Sequence, residues 1–149
     1  MKTVFQGLLS LVDKLFPAEE AFAHCDIPCG IYSGNPAQMA ADTVVKMVEK
    51  ILALPTDGSA EEILQACNSF VRMVMVKEQH AELCKKELLI LWTDYFRPEH
   101  LMKYAGLHEN IWQTAKLCSK NKQEINMTAA KDLQEAVHEI VHMFEESKK

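Results

Sequence analysis

The sequence predicts an all-α protein, an antiparallel four-helix bundle. Three observations predict it. Only 5 glycines and 5 prolines punctuate 149 residues, so turns are few and the elements between them long. The long segments repeat their apolar residues every three to four positions, the period of a helix with one buried face. No stretch shows the strict alternation of a half-buried strand.

Asn35-Pro36 opens the first helix, because Asn caps and Pro fits the first helical position. From Pro36 to Leu54 the residues Ala40, Val44, Met47, Val48 and Ile51 recur on one face. Val45 and Leu52 widen that face beyond the needs of one bundle seam, which predicts association. Pro55 ends the helix and Thr56-Asp57-Gly58 forms the turn. Ser59 and Glu62 have capping-box spacing, so a second helix runs from Ala60 to about Thr93, with a kink expected near Asn68-Ser69. Arg97-Pro98 marks the next boundary. A third helical stretch runs from Pro98 to about Ser119, with a junction at Gly106. Ser119 to Asn126 reads as a loop. The last helix starts at Asn126 or Thr128 and runs to about Glu146, with Leu133, Val137, Ile140 and Phe144 in one stripe.

Composition narrows the function classes. Hydrophobic residues at 48% and charged residues at 25% are ordinary for a soluble globular domain. Sixteen basic against 21 acidic residues give a net charge of −5 with no basic block, which argues against nucleic-acid binding. No apolar run has the length of a membrane span. Five cysteines, an odd number, do not form a secreted disulfide framework. Cys67, Cys84 and Cys118 sit in helical patterns and read as small buried hydrophobes. The eight methionines read mostly as core filler, and Trp92 and Trp112 as core or interface residues.

The chemistry concentrates near the start of the chain. Met1 to Ala23 carries a short apolar stretch from Val4 to Val12, then charge, and ends Ala21-Phe22-Ala23. That small-x-small ending suits a protease of signal-peptidase type. A cut after Ala23 makes 1–23 a pro-segment and leaves 24–149 as the functional domain. His24 then becomes the N-terminus of His24-Cys25-Asp26-Ile27-Pro28-Cys29-Gly30-Ile31-Tyr32. The amine of His24, the backbone nitrogen of Cys25 and the two thiolates can reach one ion through small chelate rings, with the His24 imidazole added. Planar nitrogen and thiolate donors suit Ni(II) or Cu(II) and not tetrahedral zinc. Pro28 restricts this loop and Gly30 permits an unusual turn. A second pattern, His138-Glu139-Ile140-Val141-His142, matches a zinc-protease motif. Its histidines fall away from the apolar stripe and only seven residues come after it, so no third ligand comes from a later element.

The segment 24–32 resembles the nickel hook of nickel-containing superoxide dismutases. Two further blocks carry the resemblance: Val76-Lys77-Glu78-Gln79-His80-Ala81-Glu82-Leu83 and Leu91-Trp92-Thr93-Asp94-Tyr95-Phe96-Arg97-Pro98. The resemblance implies a four-helix bundle with an N-terminal metal-binding hook, one nickel ion per subunit and assembly into a homo-hexamer. It implies superoxide anion as substrate, disproportionated to oxygen and hydrogen peroxide by Ni(II)/Ni(III) cycling. His24, Cys25 and Cys29 would ligate the metal. Tyr32 and Tyr95 would flank its open side, Asp26 would fix the hook, and Arg97 would steer the anion. Where the family has a Glu and an Arg behind the axial histidine, this chain has Asp42 and His80. Asp is shorter, and His titrates near neutrality where Arg does not. A cytoplasmic location is expected.

Two other functions use the same donors. A nickel or copper carrier would leave the ligands exchangeable and would need no ordered tyrosines. A thiol redox protein working through Cys25 and Cys29 would not need a free His24 amine.

Overall fold

The computed structural model describes residues 36–149. Helix α1 spans Pro36–Leu52 and α2 spans Ala60–Ile90. A π-helical turn, Leu91–Tyr95, continues α2 directly. A short α3 (Pro98–Lys103) leads into α4 (Leu107–Gln123) and α5 (Met127–Ser147). No strand occurs among the described residues. None of their helices is long and apolar enough to cross a membrane.

The four long helices form a ring of neighbours: α1 against α2 and α5, and α4 against α2 and α5. Cross-helix contacts give the directions. Trp92 meets His108 while Lys77 meets Asn121, so α2 and α4 run antiparallel. The core gathers one face from each helix. Ala40, Val44 and Val48 of α1 meet Cys84 and Leu88 of α2, Leu107 and Ile111 of α4, and Leu133 and Val137 of α5 in one cluster.

Most expected elements are present, with informative shifts at their ends. Helix α1 stops at Leu52 rather than Leu54, and Gly106 caps α4 at the expected junction. The Ser59–Glu62 box forms in full: the Ser59 N–H donates to Glu62 Oε2 at 2.8 Å, and the Glu62 N–H to Ser59 Oγ at 3.3 Å. Gly58 just before it has φ +141°, and a β-carbon there would lie 2.9 Å from Glu62 Oε2, so only glycine fits. There is no kink at Asn68-Ser69, because α2 runs unbroken and its irregularity falls at Leu91–Tyr95. The loop expected from Ser119 to Asn126 shrinks to three residues. Buried Asn121 bonds the carbonyls of Leu117 (3.0 Å) and Ala129 (2.8 Å), which extends α4 and fastens it to the start of α5.

Helix α2 is far longer than its partners. Its 31 residues extend about 46 Å at the usual rise. Helix α4 ends beside Lys77, so it does not cover the stretch of α2 before Lys77, where only Ala66 and Val76 are buried. Cys67 lies on this overhang and is exposed, against expectation, whereas Cys84 and Cys118 are buried. Met75 and Met102 are likewise exposed rather than core filler. The wide apolar face expected on the first helix is also displaced. Val45 is buried, and the apolar residues exposed around the end of α1 and the first part of α2 include Leu52, Leu64, Phe70 and Val71.

Candidate metal centre

His24, Cys25, Asp26, Cys29 and Tyr32 lie outside the described residues, as does the whole segment 1–23. Tyr95, Arg97, Asp42 and His80 lie within them, so the bundle side of the candidate site can be built from its residues upward.

Tyr95 closes the π turn. The Phe96 N–H bonds the Leu91 carbonyl, five residues back, at 3.0 Å, and Thr93 Oγ1 bonds the Leu89 carbonyl at 2.8 Å. A π turn inserts one extra residue and rotates the chain beyond it. Pro98 then forces its predecessor out of the helical region, and Arg97 is extended at φ −119°, ψ 168°. The half-buried Tyr95 therefore packs back onto the bundle end, while the Arg97 side chain is exposed two residues later.

Tyr95 is held on several sides. Its ring lies flat against His100, with centroids 5.6 Å apart and planes 8° apart. Phe144 of α5 meets it edge-on at 4.6 Å and Phe96 at 5.3 Å. Its hydroxyl shares a 2.8 Å hydrogen bond with Ser147 Oγ, which donates in turn to the Phe144 carbonyl at 2.7 Å. The Trp92 indole N–H donates to His108 Nδ1 at 2.6 Å and pins the π turn to α4. Sequence reasoning did not single out His100 or Ser147, and read Phe144 only as part of the apolar stripe of the last helix. The one local signal was a histidine three residues after Arg97, at the position where a capping box returns its side chain.

Asp42 and His80 stand on the two helices that begin the bundle. Asp42 Oδ1 accepts from Gln38 and from Gln134 of α5, both at 2.8 Å, so its carboxylate links α1 to α5. Its charge also raises the pKa of the Cys84 thiol, behind the larger effects of Cys118 and burial. Cys84 lies one turn beyond His80 on α2, so Asp42 faces this part of the helix. His80 is buried, and its Nδ1 lies 2.9 Å from the Val76 carbonyl. A carbonyl only accepts, so Nδ1 carries the proton.

One turn before His80, α2 carries a buried cation. Lys77, 1% exposed, donates to the carbonyls of Asn121, Lys122 (3.3 Å) and Glu124 (3.1 Å) at the end of α4. A cation suits the negative end of a helix dipole and satisfies carbonyls that have no helical partner. Burial nonetheless pushes its pKa down. The exposed Glu82–Lys122 pair at 2.8 Å lies beside it.

No group of three or more His, Cys, Asp or Glu side chains fit to hold an ion occurs among the described residues. His138 and His142 are exposed, as their place on the helical wheel requires. His24, Cys25 and Cys29, the donors expected from the sequence, lie outside the described residues; nitrogen and thiolate donors of that kind suit nickel.

Residues 19–148 match the family model of nickel-containing superoxide dismutase. The chain belongs to this family. The "Superoxide dismutase [Ni]" of Streptomyces coelicolor is 33% identical over 140 residues, covering 93% of this chain and 99% of its own length. That of Streptomyces seoulensis shows the same identity and coverage. The native nickel superoxide dismutase structure aligns over 85% of this chain and all of its own, with 32% identity and a TM-score of 0.63. A nickel-containing superoxide dismutase with ligation of the oxidised state aligns over 84% and 98%, with 32% identity and a TM-score of 0.66. The fold is that of the family, the enzyme is a nickel-type superoxide dismutase, and nickel is its cofactor.

Proposed function

We propose that the nickel of this dismutase is held by the amine and imidazole of His24, the backbone nitrogen and thiolate of Cys25, and the thiolate of Cys29. The observation that carries this is the hook sequence His24 to Tyr32 in a chain of this family. Bound nickel supplies a two-plus/three-plus couple that takes an electron from one superoxide and returns it to the next, with two protons making hydrogen peroxide. The chain's own residues do the rest. Thiolate and amide donors bring that couple into a useful range. Asp26 fixes the hook, and Tyr32 and Tyr95 narrow the approach. Arg97 attracts the anion from solvent. Asp42 and His80 orient the His24 ring from behind, with an imidazole where the family has a guanidinium.

The same reading requires processing. A ligand amine exists only after the chain is cut between Ala23 and His24, by a protease of signal-peptidase type. Residues 1–23 are thus a pro-segment, and 24–149 the active domain, placed in the cytoplasm. Homo-hexamer assembly is part of the proposal. The uncovered overhang of α2 supports association. Leu64 is 67% and Leu52 61% exposed, and a groove of about 680 Å³ runs beside Pro55, Phe70 and Val71.

The test compares residues 24–149, bearing a true His24 N-terminus, with the full chain, both loaded with nickel. Dismutation is expected only from the former, and one extra residue before His24 should remove it. Equal rates would show that the amine is not a ligand and would favour a carrier built on imidazole and thiolates.

A further inference from the structure

We propose that His100 is the positioning residue for both Tyr95 and Arg97. This rests on the reading that these two flank the approach to nickel, and it adds a residue to that reading. Nothing in the hook sequence or in the stretch Leu91 to Pro98 points to it.

The geometry is a single imidazole used twice. The Arg97 N–H donates to His100 Nδ1 at 3.1 Å, and the His100 N–H donates to the Arg97 carbonyl at 2.9 Å. The Arg97 amide is one that α3 cannot satisfy itself, because helices leave their first amides without partners. The imidazole takes the role that Glu or Gln plays in a capping box. The same ring stacks on the Tyr95 phenol, and Phe96 closes the corner edge-on to His100 at 5.8 Å. Behind the phenol stand Phe144 and Ser147, so Tyr95 has a wall on the α5 side, and among the described residues only His100 stacks flat on its face. Displacing the imidazole therefore frees the main chain at Arg97 and removes one wall from Tyr95.

The two uses are chemically separable. Accepting from Arg97 needs a lone pair on Nδ1, so the proton of the neutral ring sits on Nε2. Asn at this position offers an acceptor near the place of Nδ1 but no ring. Phe offers the ring but no acceptor. Stacking needs the ring plane, and capping needs the lone pair.

The test uses processed, nickel-loaded enzyme with His100→Asn, His100→Phe and Arg97→Ala. The first readout is hydrogen exchange at the Arg97 amide. It should speed up about tenfold in His100→Phe, the order expected for one lost hydrogen bond, and stay near wild type in His100→Asn. The second is the ionic-strength dependence of the dismutation rate. His100→Phe should flatten it toward that of Arg97→Ala, and His100→Asn should restore it. A general packing defect would move both variants together. Unchanged Arg97 exchange in His100→Phe, or the same salt dependence in His100→Phe and His100→Asn, would overturn the proposal. If Arg97→Ala itself leaves the salt dependence intact, the steering reading fails, while amide exchange still decides the role of His100.

Discussion

Lys77 shows how one residue can serve the bundle rather than the chemistry. Its ammonium is buried against three main-chain carbonyls that would otherwise lack partners. Lys77→Met keeps the stem and deletes the donor. The expected cost is about 1–3 kcal/mol, the range for a buried polar group left unsatisfied, read as a lower denaturant midpoint. An unchanged midpoint would mean that water replaces the ammonium. The cysteines of the hook should behave in the opposite way. Cys25→Ser or Cys29→Ser should abolish nickel binding and dismutation while the far-ultraviolet circular dichroism stays unchanged. Among the described residues the core cluster is assembled from side chains of α1, α2, α4 and α5. Full activity in either variant would remove the hook assignment.

The beginning of α2 is set by a local device with a defined pH response. Hydrogen bonds from the Ser59 backbone, then from its side chain, hold the Glu62 carboxyl below its ordinary value of 4.5. A carboxylate lowered in the folded state contributes fully above its unfolded value, and the contribution fades as pH falls through the folded one. The Ser59 amide resonance should therefore titrate with a midpoint under 4.5, and Glu62→Gln should abolish that step. A midpoint at or above 4.5 would show that the cap does not select the charged form. At the other end of α2 the π turn has a different kind of cause. Thr93 competes for a main-chain carbonyl, and Pro98 holds Arg97 extended before α3 begins, so Tyr95 packs onto the bundle end while Arg97 stays exposed.

Over the whole molecule, mismatch in helix length governs which surface is left uncovered. Helix α4 ends beside Lys77, so the first half of α2 presents Leu64, Val71 and Met75 to solvent. A face of this kind is costly to leave wet and suits burial against other copies. Val71→Glu, 56% exposed in the single chain, should weaken the proposed assembly without unfolding the bundle. Sedimentation should then show smaller species at concentrations where the unaltered protein stays associated. An unaltered distribution would exclude this face from the interface.

The features legible in the sequence had short covalent spacing. The nine residues from His24 to Tyr32 hold every proposed ligand, because chelate rings close through neighbouring atoms. Ser59 and Glu62, Pro36 at the start of the first helix and the Arg97-Pro98 boundary could also be read, since caps and proline restrictions act within four residues. The class of fold came from helical periodicity in the same way. Contacts that join distant segments were decided only by tertiary structure. Tyr95 meets Ser147 across 52 positions and Lys77 meets Asn121 across 44, and no local pattern encodes either pairing. The displaced apolar face belongs to the same group. Whether Val45 or Leu64 is wet depends on where a neighbouring helix ends, a property of packed lengths rather than of either residue's own surroundings in the chain.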